Sequence, residues 1–355
     1  MSLSADPDTR VRVAHVGPDP AEAGGMPAVV AGLLRSPLSE RYRMEAIPSW
    51  RDTSRAGRAL LFARSLGALV RWCAGPGPRI VHVHIAARGS FYRKTVVVEV
   101  AKAMRRPVVL QLHAGPGDLE DFFDRLGPLR RRAFARAFGR ADRVLSVSAS
   151  AAEVLRERLA DVEVEVVRNA PPPAAAAERP AEPAAEPGIL YLGGFADPAK
   201  GGAVLLDALP ALLERAPAAR VVLAGPGELD DGLPDRARWL GWLDEEAKAR
   251  AFAGSEVFAM PSISEGLPVT LLEAMSHGLA IVATAVGGIG EILTADLDAV
   301  LVEPGDPDLL AAALASVVAD PDRRRRLGAA AAERARRLAD DDVYARLEAV
   351  YESVL

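Results

Sequence analysis

The chain has 355 residues, half of them hydrophobic, which is long for one domain and comfortable for two. Its 43 basic residues against 48 acidic ones leave a formal net charge of −5, which gives no basis for nucleic-acid binding. A single cysteine, Cys73, excludes an internal disulfide; residues 1–10 lack the basic-then-apolar pattern of a signal peptide, and no apolar run reaches the ~18 residues of a membrane span, so a cytoplasmic protein is expected.

In chain order, near-continuous apolar runs at 11–17, 80–85, 108–113 and 144–147 predict parallel strands buried on both faces. Amphipathic segments around 55–73, 91–105 and 119–140 predict the helices between them. Residues 169–187 are rich in proline and alanine and read as an extended linker. The alternation then restarts, with strands expected at 189–192, 221–223, 257–259, 280–283 and 299–302. Helices are expected at about 201–215, 244–252, 267–277 and 306–319, followed by a helical tail over 320–355. The expected fold class is α/β, with two Rossmann-like doubly wound domains facing a cleft. The expected boundaries are an N-terminal domain over 1–170, a linker over 171–187, a C-terminal domain over 188–337, and a C-terminal helix over 338–355 packing back on the first domain.

The most informative segment is Glu265-Gly-Leu-Pro-Val-Thr-Leu-Leu-Glu273, a glycine turn opening a helix with a carboxylate on each side of the helix start. Exposed N–H groups at a helix start attract phosphate, whereas carboxylates repel phosphate and suit hydroxyl groups. At ~1.5 Å per residue, Glu273 lies about 10 Å along the helix from residue 266. That spacing suits the sugar, diphosphate and ribose of a nucleotide sugar.

Tyr191-Leu-Gly-Gly-Phe-Ala-Asp-Pro-Ala-Lys-Gly-Gly202 is a glycine-rich loop after a strand. Lys200 is one of only four lysines in the chain, and it reads either as a point charge for a diphosphate or as a surface residue of a turn. Trp239 and Trp242 suit either stacking on a base or packing. The 287–291 glycine run is a turn into a helix, near a ligand or purely structural. In the first half, Gly24-Gly25 opens a helix without the Gly-x-Gly-x-x-Gly pattern of dinucleotide sites. His15, His82, His84 and His113 fall in or beside strands; His82 and His84 share a strand face but lack further ligands at metal-site spacing, so no metal is expected.

Together these residues resemble the retaining glycosyltransferases of the GT-B fold, family 4, over most of the chain. The resemblance implies a nucleotide-diphosphate sugar donor, no cofactor or metal, and a sugar, lipid-linked or small-molecule acceptor. It assigns Glu265 to the donor sugar, Glu273 to the nucleotide ribose and Lys200 to the diphosphate. Gly24, Gly25, Gly194, Gly266, Leu267, Val269 and Thr270 line the donor site by the same resemblance, and His113 stands near the reaction centre, making Glu265, His113 and Lys200 the catalytic candidates. The family often carries an arginine where this chain has Gly194, leaving Lys200 as the identified cation there. Residues 88–94 look like an acceptor-side loop. The stretch after it combines Arg125, Arg130, Arg131, Arg132, Arg136 and Arg140 with Phe122, Phe123, Phe134 and Phe138, which suits either peripheral membrane contact or a solvated face. Three other readings stay open: a sugar-nucleotide 2-epimerase, an inverting transferase using His113 or His15 as base, and a non-catalytic sugar-nucleotide binder.

Overall fold

A computed structural model describes residues 10–87, 89–159, 162–171, 186–229, 232–340 and 343–355. The chain divides into two compact units, Met1–Asn169 with Asp342–Leu355, and Ala170–Asp341. The interior of the proline-rich segment, 172–185, and Arg88 lie outside the described residues.

Unit 1 is built on β1 (Arg12–Pro18), α1 (Gly25–Arg35), α2 (Leu38–Arg41), β2 (Arg43–Trp50), α3 (Arg55–Cys73), β3 (Arg79–Ile85) and α4 (Gly89–Ala103). It continues through β4 (Val108–Leu112), α5 (Pro116–Asp124), α6 (Pro128–Arg140), β5 (Arg143–Ser146), α7 (Ala149–Arg158) and β6 (Val164–Val166). Unit 2 comprises β7 (Gly188–Tyr191), α8 (Gly202–Arg215), β8 (Arg220–Leu223), β9 (Ala237–Trp239), α9 (Glu245–Ala253), β10 (Val257–Met260) and α10 (Val269–Ser276). Its remaining elements are β11 (Ala280–Thr284), α11 (Gly288–Ile292), β12 (Ala299–Val302), α12 (Pro307–Ala319) and α13 (Pro321–Asp340), after which α14 (Val343–Glu352) returns to unit 1.

The strands, mostly apolar and buried on both faces, pair in parallel beneath covering helices. Unit 1 orders its sheet β2-β1-β3-β4-β5-β6, and unit 2 orders its own β12-β11-β10-β7-β8-β9. Read from the other edge, the second order is 3-2-1-4-5-6 in local numbering, the doubly wound dinucleotide-type arrangement. The strand order therefore reverses between β1 and β3 in unit 1 and between β7 and β10 in unit 2. In such sheets ligands bind at the strand carboxyl ends beside that reversal.

Leu347, Val350 and Tyr351 of α14 are buried in the same cluster as Val13, Ile80 and Val109 of the first sheet. The Tyr351 hydroxyl lies 2.7 Å from His82 Nδ1. No helix among the described residues is long and apolar enough to cross a membrane.

Three sequence expectations change. The helix expected over 119–140 is two helices, because Gly127-Pro128 starts a new one with proline at its first position. Residues 89–94 are not a loop but the first turns of α4, with Phe91 and Lys94 buried. The four phenylalanines proposed for a membrane face are also buried; Phe122, Phe123, Phe134 and Phe138 pack around Phe91 at ring separations of 4.7–5.8 Å. The arginines of α6 thus lack their aromatic anchors, and Leu129 and Tyr92 are the large apolar residues exposed nearby.

Candidate functional site

In unit 2 the loops after β7 and β10 meet at the strand reversal. The first carries the single turn Pro198–Lys200, capped by the Asp197 carboxylate accepting from Ala199 N, and then Gly201 in the left-handed conformation, φ 68°. A Cβ on Gly201 would lie 1.8 Å from the Pro261 carbonyl oxygen, so only glycine permits this approach. Across the contact, Ile263 N donates to Ala199 O at 2.7 Å, and Thr284 Oγ1 donates to Ser262 O at 2.5 Å. On the far side, Gly288 N donates to Gly266 O at 2.7 Å, where a Cβ on Gly288 would come within 2.2 Å of that oxygen. Segment 261–266 is thereby braced from both neighbouring loops.

That bracing sets the site's charges. Lys200 Nζ donates to both oxygens of Glu265, at 2.8 and 2.9 Å, and Ser262 Oγ donates to Glu265 Oε1 at 3.0 Å. Glu265 is buried and Lys200 about one-third exposed. Sequence reasoning sends the two residues to different parts of a ligand; the structure pairs them. The Tyr191 hydroxyl, held against Gly194 O at 2.7 Å, has its pKa raised by burial and then by Glu265 and Asp197.

Glu273, just over one turn into α10, accepts from Lys248 Nζ at 2.6 Å through Oε1. Its Oε2 is buried without a hydrogen-bond partner among the described residues. Burial raises the Glu273 pKa against the opposing pull of Lys248. Burial would lower the Lys248 pKa, but Glu273 outweighs it and raises it. Lys248, on α9, is a second cation that sequence reasoning missed. The available signal was its position in a chain that otherwise uses arginine.

Helix α10 starts at Val269 with Pro268 as its cap residue and no side-chain cap, so its amino end, with Thr270, offers first-turn N–H groups. Gly266 and Leu267 lie in the braced turn before it. Gly194, at φ 68°, sits against Pro226, whose carbonyl oxygen would be 2.3 Å from a Cβ there. Gly194 N donates to Ala224 O and Phe195 N to Pro226 O, at 3.1 and 2.9 Å. An arginine does not fit this backbone. Trp239 packs edge-on against Phe195 at 5.1 Å, whereas Trp242 is exposed.

In unit 1, Gly24 needs its φ of 130° before α1, while Gly25 opens α1 with free space around it. The histidines gather at the β1/β3 reversal. His15 Nδ1 lies 3.0 Å from His84 Nε2, and His84 Nδ1 lies 3.0 Å from His113 Nε2. His82 Nε2 lies 3.1 Å from Gln111 Oε1. Burial lowers the pKa of His15 and of His113 to about 3 and holds His82 and His84 well below the ordinary histidine value. Ring nitrogens of His15, His82 and His84 lie within 4.8 Å of one another, a spacing that could hold a metal ion. Both nitrogens of His82 and both of His84 already have protein partners, so a metal would have to displace one on each. Lys94, expected in an acceptor loop, is instead buried behind β1, donating to Val16 O at 2.9 Å and to the Ser49 hydroxyl.

Two family models divide the chain: Glycosyltransferase Family 4 matches residues 11–174, and Glycosyl transferases group 1 matches residues 186–320. The chain belongs to the GT-B glycosyltransferases of family 4. It is 37% identical over 174 residues to a phosphatidyl-myo-inositol mannosyltransferase of Mycolicibacterium smegmatis, covering 47% of this chain and 45% of that protein. It is 35% identical over 138 residues to the sulfoquinovosyl transferase SQD2 of Arabidopsis thaliana, covering 36% of this chain and 27% of the relative. The matched part spans about half the length of the mannosyltransferase relatives. Among solved structures, sucrose-phosphate synthase from Thermosynechococcus elongatus superposes with a TM-score of 0.77 at 20% identity, over 97% of this chain and 98% of that one. HepE from Anabaena, in complex with UDP and glucose, superposes with a TM-score of 0.70 at 16% identity, over 96% and 99%. These two share the fold.

Proposed function

We propose that the protein is a metal-independent retaining glycosyltransferase that moves a sugar from a nucleotide-diphosphate donor to an acceptor hydroxyl. The observation that carries this reading is the charge pattern around the start of α10: a buried carboxylate and a half-buried one, each paired with a lysine, with Glu273 Oε2 left over for a hydroxyl group. Neutralisation matters because a bare carboxylate beside a diphosphate would repel it; at about 4 Å two like charges cost on the order of 4 kcal/mol at an effective dielectric of 20.

In this reading Glu273 Oε2 accepts from a ribose hydroxyl and Glu265 from hydroxyls of the donor sugar. The diphosphate lies at the amino end of α10, where first-turn N–H groups and the helix dipole stabilise the charge that grows as the sugar–phosphate bond breaks. Lys200 bridges Glu265 to the phosphate and follows that charge. His113 in unit 1 hydrogen-bonds an oxygen of the acceptor. With Glu265 tied to Lys200 and Ser262, no protein nucleophile is needed: the acceptor hydroxyl attacks the face the diphosphate leaves, passing its proton to the departing phosphate, and the anomeric configuration is kept. The UDP and glucose bound by HepE agree with a nucleotide-sugar donor.

Thermal shift against UDP, GDP, ADP and dTDP sugars tests the reading. One nucleotide family should raise Tm, and incubation of that donor with polyol, sugar and lipid-linked acceptors should yield a product of retained configuration. Stabilisation by none of these donors, or an inverted product, would reject it.

A further inference from the structure

We propose that buried His15 and His84 fix His113 as a neutral imidazole that donates a hydrogen bond through Nδ1, so that His113 holds an oxygen of the acceptor bound at unit 1 and takes no proton from it. What His113 touches rests on the transferase reading above; its protonation rests on the geometry of unit 1.

His15 on β1, His84 on β3 and His113 just past β4 form one series, Nδ1 to Nε2 at 3.0 Å and again Nδ1 to Nε2 at 3.0 Å. His15 and His84 are fully buried and have no carboxylate partner among the described residues. Lys94, His82 and His113 around His84 all disfavour a positive charge on it. The rings are therefore neutral, and a neutral imidazole has one N–H and one accepting nitrogen.

With His84 between two partners, only two proton arrangements make both bonds. Either every ring donates toward His15, leaving an N–H on His15 Nε2 and a bare Nδ1 on His113, or every ring donates toward His113, leaving a bare His15 Nε2 and an N–H on His113 Nδ1. The far end decides. His15 Nε2 is buried without a partner among the described residues. Stranding an N–H donor there is the rarer outcome in native proteins, and a stranded acceptor is better tolerated. The protons therefore run toward His113. Its Nε2 lone pair is used by His84 and its Nδ1 already bears a proton, so no basic nitrogen is open. His15 and His84 are positioning residues: they set which side of His113 is a donor.

His82 does not join the series. The Gln111 amide oxygen can only accept, so His82 Nε2 carries the proton and Nδ1 accepts from Tyr351.

Long-range proton–nitrogen NMR on the full chain with nitrogen-labelled histidine tests the proposal directly. His113 should be neutral with its proton on Nδ1 between pH 6 and 8, and His84→Phe should abolish that single form. In the transfer assay His113→Asn, which keeps a short amide donor, should stay within about tenfold of the parent, while His113→Phe should fall about a hundredfold or more. A proton on Nε2, an imidazolium in that range, or an Asn variant as impaired as Phe overturns the proposal. An expected NMR result with neither variant affecting transfer would reject the role given to His113 in the reaction while leaving its assigned protonation intact.

Discussion

Lys200 holds both carboxylate oxygens of Glu265 across 65 positions of sequence, at 2.8 and 2.9 Å, with Ser262 on the same carboxylate. Glu265→Gln keeps the shape but removes the charge that Lys200 neutralises. Turnover should fall by roughly 10²–10³, the size of effect seen when one charge-stabilising contact is lost from an active site. Stability should change by only about 1–2 kcal/mol, because Lys200 remains partly in water. Steady-state kinetics beside a thermal melt separate the two; wild-type turnover would count against the donor-site assignment.

Glu273→Gln should act on binding. The amide retains an oxygen for one partner but presents N–H groups where a ribose hydroxyl needs an acceptor, and it leaves Lys248 without its buried counter-charge. Donor KM should rise about tenfold or more, equivalent to roughly 1.4 kcal/mol, with a smaller change in kcat. The nucleotide diphosphate lacking the sugar should lose affinity by a similar factor, since it contains the same ribose.

Introducing an arginine by Gly194→Arg should not strengthen the site. The left-handed backbone costs an ordinary residue about 1–2 kcal/mol, and the Cβ would be forced onto the Pro226 carbonyl at 2.3 Å. Overpacking adds about 1–3 kcal/mol. The expected outcome is a clear drop in Tm and weaker donor binding. A stable variant with tighter binding would mean the loop adopts another path.

The buried histidines make stability depend on pH. His15 has a folded pKa of about 3 against an ordinary value of 6.5. Between those values the unfolded chain binds a proton that the folded chain refuses, so stability falls as pH drops below about 6.5 and keeps falling toward 3. At pH 5 His15 alone should cost about 2 kcal/mol relative to pH 7, and His82, His84 and His113 act in the same direction. Urea titrations at pH 7 and 5 measure the sum, and His15→Phe should flatten the dependence. An unchanged midpoint across that range would mean the histidines are solvated.

Tyr351→Phe removes the hydroxyl that donates to His82 Nδ1 while keeping the ring buried against Tyr42 at 5.2 Å. Leaving one buried nitrogen unsatisfied should cost about 1–3 kcal/mol. Proteolysis of the C-terminal helix should accelerate accordingly, since Leu347, Val350 and Tyr351 anchor it to the first sheet.

Periodicity alone carried the strand and helix plan, because strands buried on both faces must be apolar throughout and the helices between them amphipathic. The Glu265–Glu273 spacing and the glycines around it were legible for the same local reason: a turn into a helix has its own residue chemistry. Where locality ended, so did legibility. Nothing near Gly194 announces the Pro226 carbonyl that excludes an arginine, and nothing near Glu265 or Glu273 announces the lysine that neutralises each. The phenylalanines of 122–138 looked like a surface feature until the break at Gly127-Pro128 turned them into the core. Parallel sheets make this division sharp, since neighbouring strand ends come from segments tens of residues apart. Sequence determined the local chemistry of the Glu265–Glu273 turn and helix; only the strand order, by setting β7 beside β10 and β1 beside β3, decided which charges pair and which imidazoles share a proton.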